Sequence, residues 1–232
     1  MEKAIIYQIF TRLFGNTNTT RKHNGTLTDN GCGKLNAFTP AVLRRIKELG
    51  VTHVWYTGVI RHATTTDYTR YGIPRQHPAV VKGNAGSPYA ITDYYDIDPD
   101  LATNVEKRMN EFESLVKRTH KAGLKMIIDF VPNHVARQYK STAKPKGIAD
   151  FGENDNTGMQ FSPQNNFYYC PEQSFAADID LYHGEELPYE EFPAKATGND
   201  CFGNRPGRND WYETVKLNYG VDYCDAGGVS TH

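Results

Sequence analysis

The sequence predicts an α/β fold with parallel strands, on three observations. Two short apolar, β-prone runs each begin just after a glycine that closes an amphipathic stretch, at Gly50 and Gly123. A third run, Ala4-Ile-Ile-Tyr-Gln-Ile-Phe10, opens the chain and is apolar at consecutive positions, as suits a strand covered on both faces. The residues able to do chemistry, foremost Asp129-Phe-Val-Pro-Asn-His134, come only after strands. In barrels and open α/β sheets alike, sites gather at the carboxyl ends of the strands.

Each element has a local cause. Residues 15–33 are rich in Thr, Asn and Gly and read as a long polar loop. Thr39-Pro40 then opens a helix, with Thr as N-cap and Pro at the first helical position. Val42, Leu43, Ile46 and Leu49 make its expected buried stripe. Residues 51–56 (Val-Thr-His-Val-Trp-Tyr) form the next strand, and strand, helix, strand across so short a turn means parallel pairing. Glycines and prolines exclude a long helix from 57 to 99. Thr103-Asn-Val-Glu106 reads as a capping box, followed by a stripe of Val105, Met109, Phe112 and Val116. Residues 125–130 are the third strand. Beyond His134 helical and strand periods vanish, apart from β-prone pieces around 166–169 and 215–219. That stretch is too aromatic for disorder and reads as an irregular subdomain.

Composition narrows the partners. The 232 residues suffice for one large domain or two small ones, and the net charge of −1 offers no field for nucleic acid or an anionic membrane. Fifteen Tyr and eleven Phe fit a protein that offers flat faces to a neutral, hydroxyl-bearing partner. The start carries no apolar signal-peptide core and no run approaches the ~20 residues that span a bilayer, so the chain reads as soluble, cytoplasmic as given and exported if a signal was trimmed. Cys32, Cys170, Cys201 and Cys224 show no zinc spacing, and one disulfide among the last three is open.

The candidate site begins at Asp129, whose carboxylate inside an apolar strand needs a partner or an orienting role. His134 can hydrogen-bond a ligand hydroxyl, and the Asn133 side-chain carbonyl suits a hard cation such as calcium. The bland alternative stays open: Asp129 capping nearby backbone and Asn133-His134 as a polar turn. Gly86-Ser-Pro-Tyr89 presents Tyr89 on the same side of the sheet, where its ring could stack on a sugar or simply cover the strand ends. A metal hydrolase built on Asp129 and His134 is weaker, for no further ligands fall at suitable spacing.

With these residues in place, Asp129-Phe-Val-Pro-Asn-His134 resembles the segment ending the third barrel strand in the α-amylase family of glycoside hydrolases. Residues 6–10 and 51–56 resemble that family's first two strands. The stretch from Ser87-Pro-Tyr89 to Thr103 resembles its Gly-Tyr…Asp-Tyr…Ile-Asp-Pro…Gly-Thr segment, with Ser87-Pro88 and Ala102 as departures. The resemblance implies a (β/α)8 TIM barrel of which this chain holds the N-terminal portion, residues 1–134, as three β/α units. It implies an irregular B domain at 135–225 and the start of a return to the barrel at 226–232. It also implies retaining hydrolysis of α-glycosidic bonds in starch or maltooligosaccharides. Tyr89 would stack on the sugar, His134 would bond its primary hydroxyl, Asp129 would steady the site, and Asn133 would be offered to a structural calcium.

Retaining hydrolysis needs two carboxylates about 5–5.5 Å apart. The family's nucleophile segment, Gly-x-Arg-x-Asp, has no counterpart after Tyr219. The expectation is therefore a piece of a longer enzyme, inactive alone, with nucleophile and acid beyond His232. The competing expectations are a non-catalytic carbohydrate-binding or scaffold protein, and a transglycosylase or sugar isomerase of the same family.

Overall fold

A computed structural model describes residues 3–223. Its centre is a parallel sheet in the order β1-β2-β5, built from β1 (Ile6–Phe10), β2 (His53–Thr57) and β5 (Lys125–Ile128). Two helices link these strands, α2 (Pro40–Glu48) and α3 (Arg108–Lys121). A one-turn helix, α1 (Leu27–Asn30), lies in the first loop. The parallel reading is borne out. The described residues do not close a barrel, since this sheet has three strands.

Val54 and Tyr56 alternate onto the helical side, where they meet Leu35, Phe38, Leu43, Ile46, Leu101 and Leu115 in the main core. Phe38 stacks on Phe14 at 4.4 Å and takes the edge of Tyr56 at 4.9 Å. The buried Tyr56 hydroxyl is satisfied by Thr119 at 2.8 Å. Arg118 of α3 donates to the carbonyls of Phe38 and Leu35, tying helix to loop. The other face of the sheet is largely open, with Ile6 and Phe10 exposed on it; Tyr7, Ile128 and Phe130 are exposed as well.

Helix starts follow sequence chemistry in one case and not in the other. Thr39 caps α2 by accepting from the Val42 amide, with Pro40 at the first position. Leu49, expected in the buried stripe, is 68% exposed because it falls on the closing residue, where the backbone leaves the helix. The capping box at Thr103 and Glu106 does not form. Glu111, one turn further on, accepts from the amides of both Thr103 and Asn104, while the Asn104 side chain takes the Glu106 amide. A 3-10 turn (Val105–Lys107) therefore precedes α3 and rotates its face, burying Leu115 and Thr119 and leaving Met109 exposed.

Residues 57–99 hold more order than their glycines and prolines suggest. β3 (Ile60–His62) pairs antiparallel with β4 (Ile91–Ile97). After β5 the chain builds β6 (His134–Ala136), which pairs antiparallel with β9 (Thr214–Lys216). Two-residue strands β7 (Tyr169–Cys170) and β8 (Ala194–Lys195) pair likewise. Val135, Phe167, Tyr169, Val215 and Leu217 form a separate small core there. Its polar anchor is Arg137, fully enclosed, which pairs with Glu191 at 2.6 Å and lies 4.2 Å over the Phe175 ring. Cys32, Cys170 and Cys201 are free thiols; Cys224 and the expected return at 226–232 lie outside the described residues. No helix among the described residues is long and apolar enough to cross a membrane.

Candidate functional site

β2 and β5 are neighbours, so their carboxyl ends stand side by side. Asp129 follows β5 directly and turns its carboxylate toward β2. One oxygen accepts the indole N–H of Trp55, and the other accepts the Gly58 amide at 2.9 Å. Asp129 thus fastens the turn that leaves β2. Gly58 has φ +73°, and a Cβ there would come within 2.9 Å of Pro88, so this turn packs on the segment carrying Tyr89.

That segment is shaped by Gly86. Its φ is +70°, and a Cβ would sit 1.7 Å from the Ala63 carbonyl oxygen, which leaves no room for any other residue. The Ser87 hydroxyl accepts the Tyr89 amide at 3.3 Å. Tyr89 is 36% exposed, with the ring free to meet a ligand. Burial, and then the negative charge of Asp129, push its phenol upward from the usual value.

His134 opens β6 and is only 4% exposed. Burial lowers its pKa; the nearby main-chain carbonyl of Tyr89 opposes the shift and the Lys216 charge adds to it. The ring is therefore biased toward its neutral form. Its Nδ1 is buried without a hydrogen-bond partner, a costly condition for a polar atom. The Tyr94 hydroxyl reaches the Val131 and His134 carbonyls at 2.7 and 3.2 Å, which holds the turn leading to His134. Trp211 meets the imidazole edge-on with ring centres 5.3 Å apart. Gly198 closes the remaining side, since a Cβ there would lie 2.9 Å from the His134 Cβ.

The structure thus brings Asp129, Tyr89 and His134 into one neighbourhood. Asn133 immediately precedes His134; its side chain is exposed, and its main-chain carbonyl accepts the Leu217 amide. Among the described residues no group of three or more His, Cys, Asp and Glu side chains stands together. Four contributors escaped the sequence reading. Trp55 and Trp211 looked like ordinary strand and loop aromatics, Tyr94 was one of several tyrosines in a loop, and Gly198 one of many glycines. The signal for Trp55 was available, because period two in β2 sets it on the face opposite Val54 and Tyr56.

The site can orient a neutral hydroxyl-bearing ligand: an uncharged imidazole, a phenol ring and a rigid carboxylate behind them. It does not set two free carboxylates side by side, because both Asp129 oxygens are engaged.

Comparison with known proteins shows what the chain is similar to. Trehalose-6-phosphate hydrolase from Bacillus subtilis is 32% identical over 139 residues, covering 60% of this chain and 18% of the relative. Maltase A2 from Drosophila melanogaster is 28% identical, covering 71% and 24%, and alpha-amylase 2 from Dictyoglomus thermophilum is 26% identical, covering 81% and 28%. The matched stretch is thus a minor part of the length of these relatives. Among solved structures, the α-amylase of Geobacillus thermoleovorans complexed with acarbose is 29% identical, covering 60% of this chain and 26% of that one, with a TM-score of 0.41. The model for the alpha amylase catalytic domain matches residues 8–188, most of the chain, and on that match the chain belongs to the α-amylase family of glycoside hydrolases.

Proposed function

We propose that this chain forms one wall of the sugar site of an α-glucan-active enzyme, which cleaves α-glycosidic bonds in maltooligosaccharides or starch by a retaining mechanism. The observation that carries the reading is the convergence of Tyr89 and His134 over Asp129. The Tyr89 carbonyl faces the His134 imidazole, and its phenol feels the Asp129 charge. In this reading Tyr89 stacks on the apolar face of a glucosyl unit and His134 bonds one of its hydroxyls. Asp129 holds the strand ends in register through Trp55 and Gly58. The three parallel strands with α2 and α3 are the opening units of a (β/α)8 barrel, and residues 135–223 belong to its B domain.

The chemistry itself lies elsewhere than in Asp129. A retaining glycosidase needs a nucleophile and an acid, and a carboxylate engaged on both oxygens is neither. The same limit applies to calcium. Asn133 is the side chain that would be offered to it through its carbonyl, and no step is assigned to a metal.

Calorimetric titration of the chain with maltotriose, beside a hydrolysis assay, tests the reading. Binding without hydrolysis is expected, and binding should drop at least tenfold in Tyr89→Ala. Hydrolysis by the chain alone would overturn the division between wall and catalytic carboxylates. Absence of binding would overturn the wall.

A further inference from the structure

We propose that Trp211 is a substrate-positioning residue, a platform for the glucosyl unit next to the one held by Tyr89 and His134; this rests on the reading above. The argument is one of rigidity, exposure and place. Trp211 is 42% exposed although it lies in a well-tied loop. Its amide donates to the Asn199 side-chain oxygen at 3.1 Å, and its carbonyl accepts from both the Thr214 amide and hydroxyl at 2.9 Å. Asn199 is itself held by Asp210 at 2.8 Å and by the Thr197 hydroxyl at 2.6 Å. A large ring kept in water on a fixed backbone contributes nothing to the small core nearby. It has, however, lost the freedom that a ligand would otherwise have to remove.

Place supplies the second half. The indole touches the His134 ring edge-on at 5.3 Å, so a sugar on Trp211 adjoins a sugar whose hydroxyl reaches His134. Gly198 permits that approach: any side chain there would meet Thr214 at 2.6 Å and His134 at 2.9 Å. The exposed indole offers an apolar face on which the C–H face of a pyranose can lie. The ligand class is an α-linked glucosyl disaccharide or longer, in which only the second unit reaches Trp211.

The test compares methyl α-glucoside with maltose on the full chain by titration. We expect maltose to bind about tenfold more tightly than the single sugar, a step of about 1.4 kcal/mol. In Trp211→Ala the step should vanish, and Trp211→Phe should restore most of it. A readout that simple packing would not move is also at hand. The chain has two tryptophans, so its spectrum carries two indole N–H signals, and the one missing in Trp211→Phe should shift with maltose and not with methyl α-glucoside. Maltose binding unchanged in Trp211→Ala overturns the platform alone. Failure of the unaltered chain to bind either sugar overturns the wall together with the platform.

Discussion

His134 is a histidine kept neutral by its surroundings. Burial outweighs the Tyr89 carbonyl, so the folded ring titrates below the usual 6.5. Unfolded chains then bind the proton more readily, so this residue's contribution is intact above about pH 6.5 and is lost as pH falls toward the folded value. NMR titration should find the His134 ring protonating below pH 6.5; protonation above it would contradict the burial seen here. Asp129 makes a different prediction. Removing its carboxylate leaves the Trp55 indole N–H and the Gly58 amide without acceptors. Asp129→Ala should cost about 2–3 kcal/mol in urea unfolding, and Asp129→Asn clearly less, because the amide retains one acceptor oxygen. Equal losses would mean that charge, not bonding, is what matters.

Among the elements, α3 separates a motif from the structure it forms. Thr103 and Glu106 have the spacing of a capping box, yet the preceding 3-10 turn carries Glu106 away and brings Glu111 under the free amides. Glu111→Ala should therefore cost about 1 kcal/mol, since it removes the acceptor of the Thr103 and Asn104 amides. Glu106→Ala should stay within about 0.5 kcal/mol. Thermal or urea midpoints of the two variants decide it, and a reversed order would restore the capping box. The same rotation explains the exposed Met109 and the buried Leu115 and Thr119. β4 was missed for a related reason. It carries Asp93 and Asp96, which look like solvent positions until Arg61 is found buried against both at 3.2 and 3.0 Å. A polar pattern bought nothing at the periodicity level, because its burial depends on a partner thirty residues away.

Across the whole molecule, one buried ion pair organises the stretch after His134. Arg137 donates to Glu191, to the Tyr212 carbonyl and to the Thr214 carbonyl, and so spans both small sheets. Burial raises the Glu191 carboxyl, but Arg137 and Lys195 outweigh it and hold it below its ordinary 4.5. The contribution is then complete above about pH 4.5 and is lost as pH falls through the lower folded value. Arg137→Ala, which strands a buried carboxylate, should cost about 3–5 kcal/mol and accelerate proteolysis within residues 137–223. Replacing Arg137 and Glu191 together by Leu should cost much less. It should also flatten the acid limb of the stability curve. A double variant as unstable as Arg137→Ala would show that the carbonyl bonds, rather than the paired charges, hold this region.

Much was legible before any coordinates. Parallel pairing of β1, β2 and β5, the start of α2 and the importance of Asp129, His134 and Tyr89 follow from short-range rules: period, caps, turn glycines and a six-residue motif. These depend on neighbours in sequence, and the chain states them directly. Tertiary structure alone decided that Arg61 and Arg137 are buried, and that Trp55 and Trp211 attend the site. Each of those depends on a partner distant in the chain, brought close by packing that no local pattern records. Asp129 shows both sides: the sequence offered it as a residue that steadies the site, and packing supplied its two partners, the Trp55 indole and the Gly58 amide.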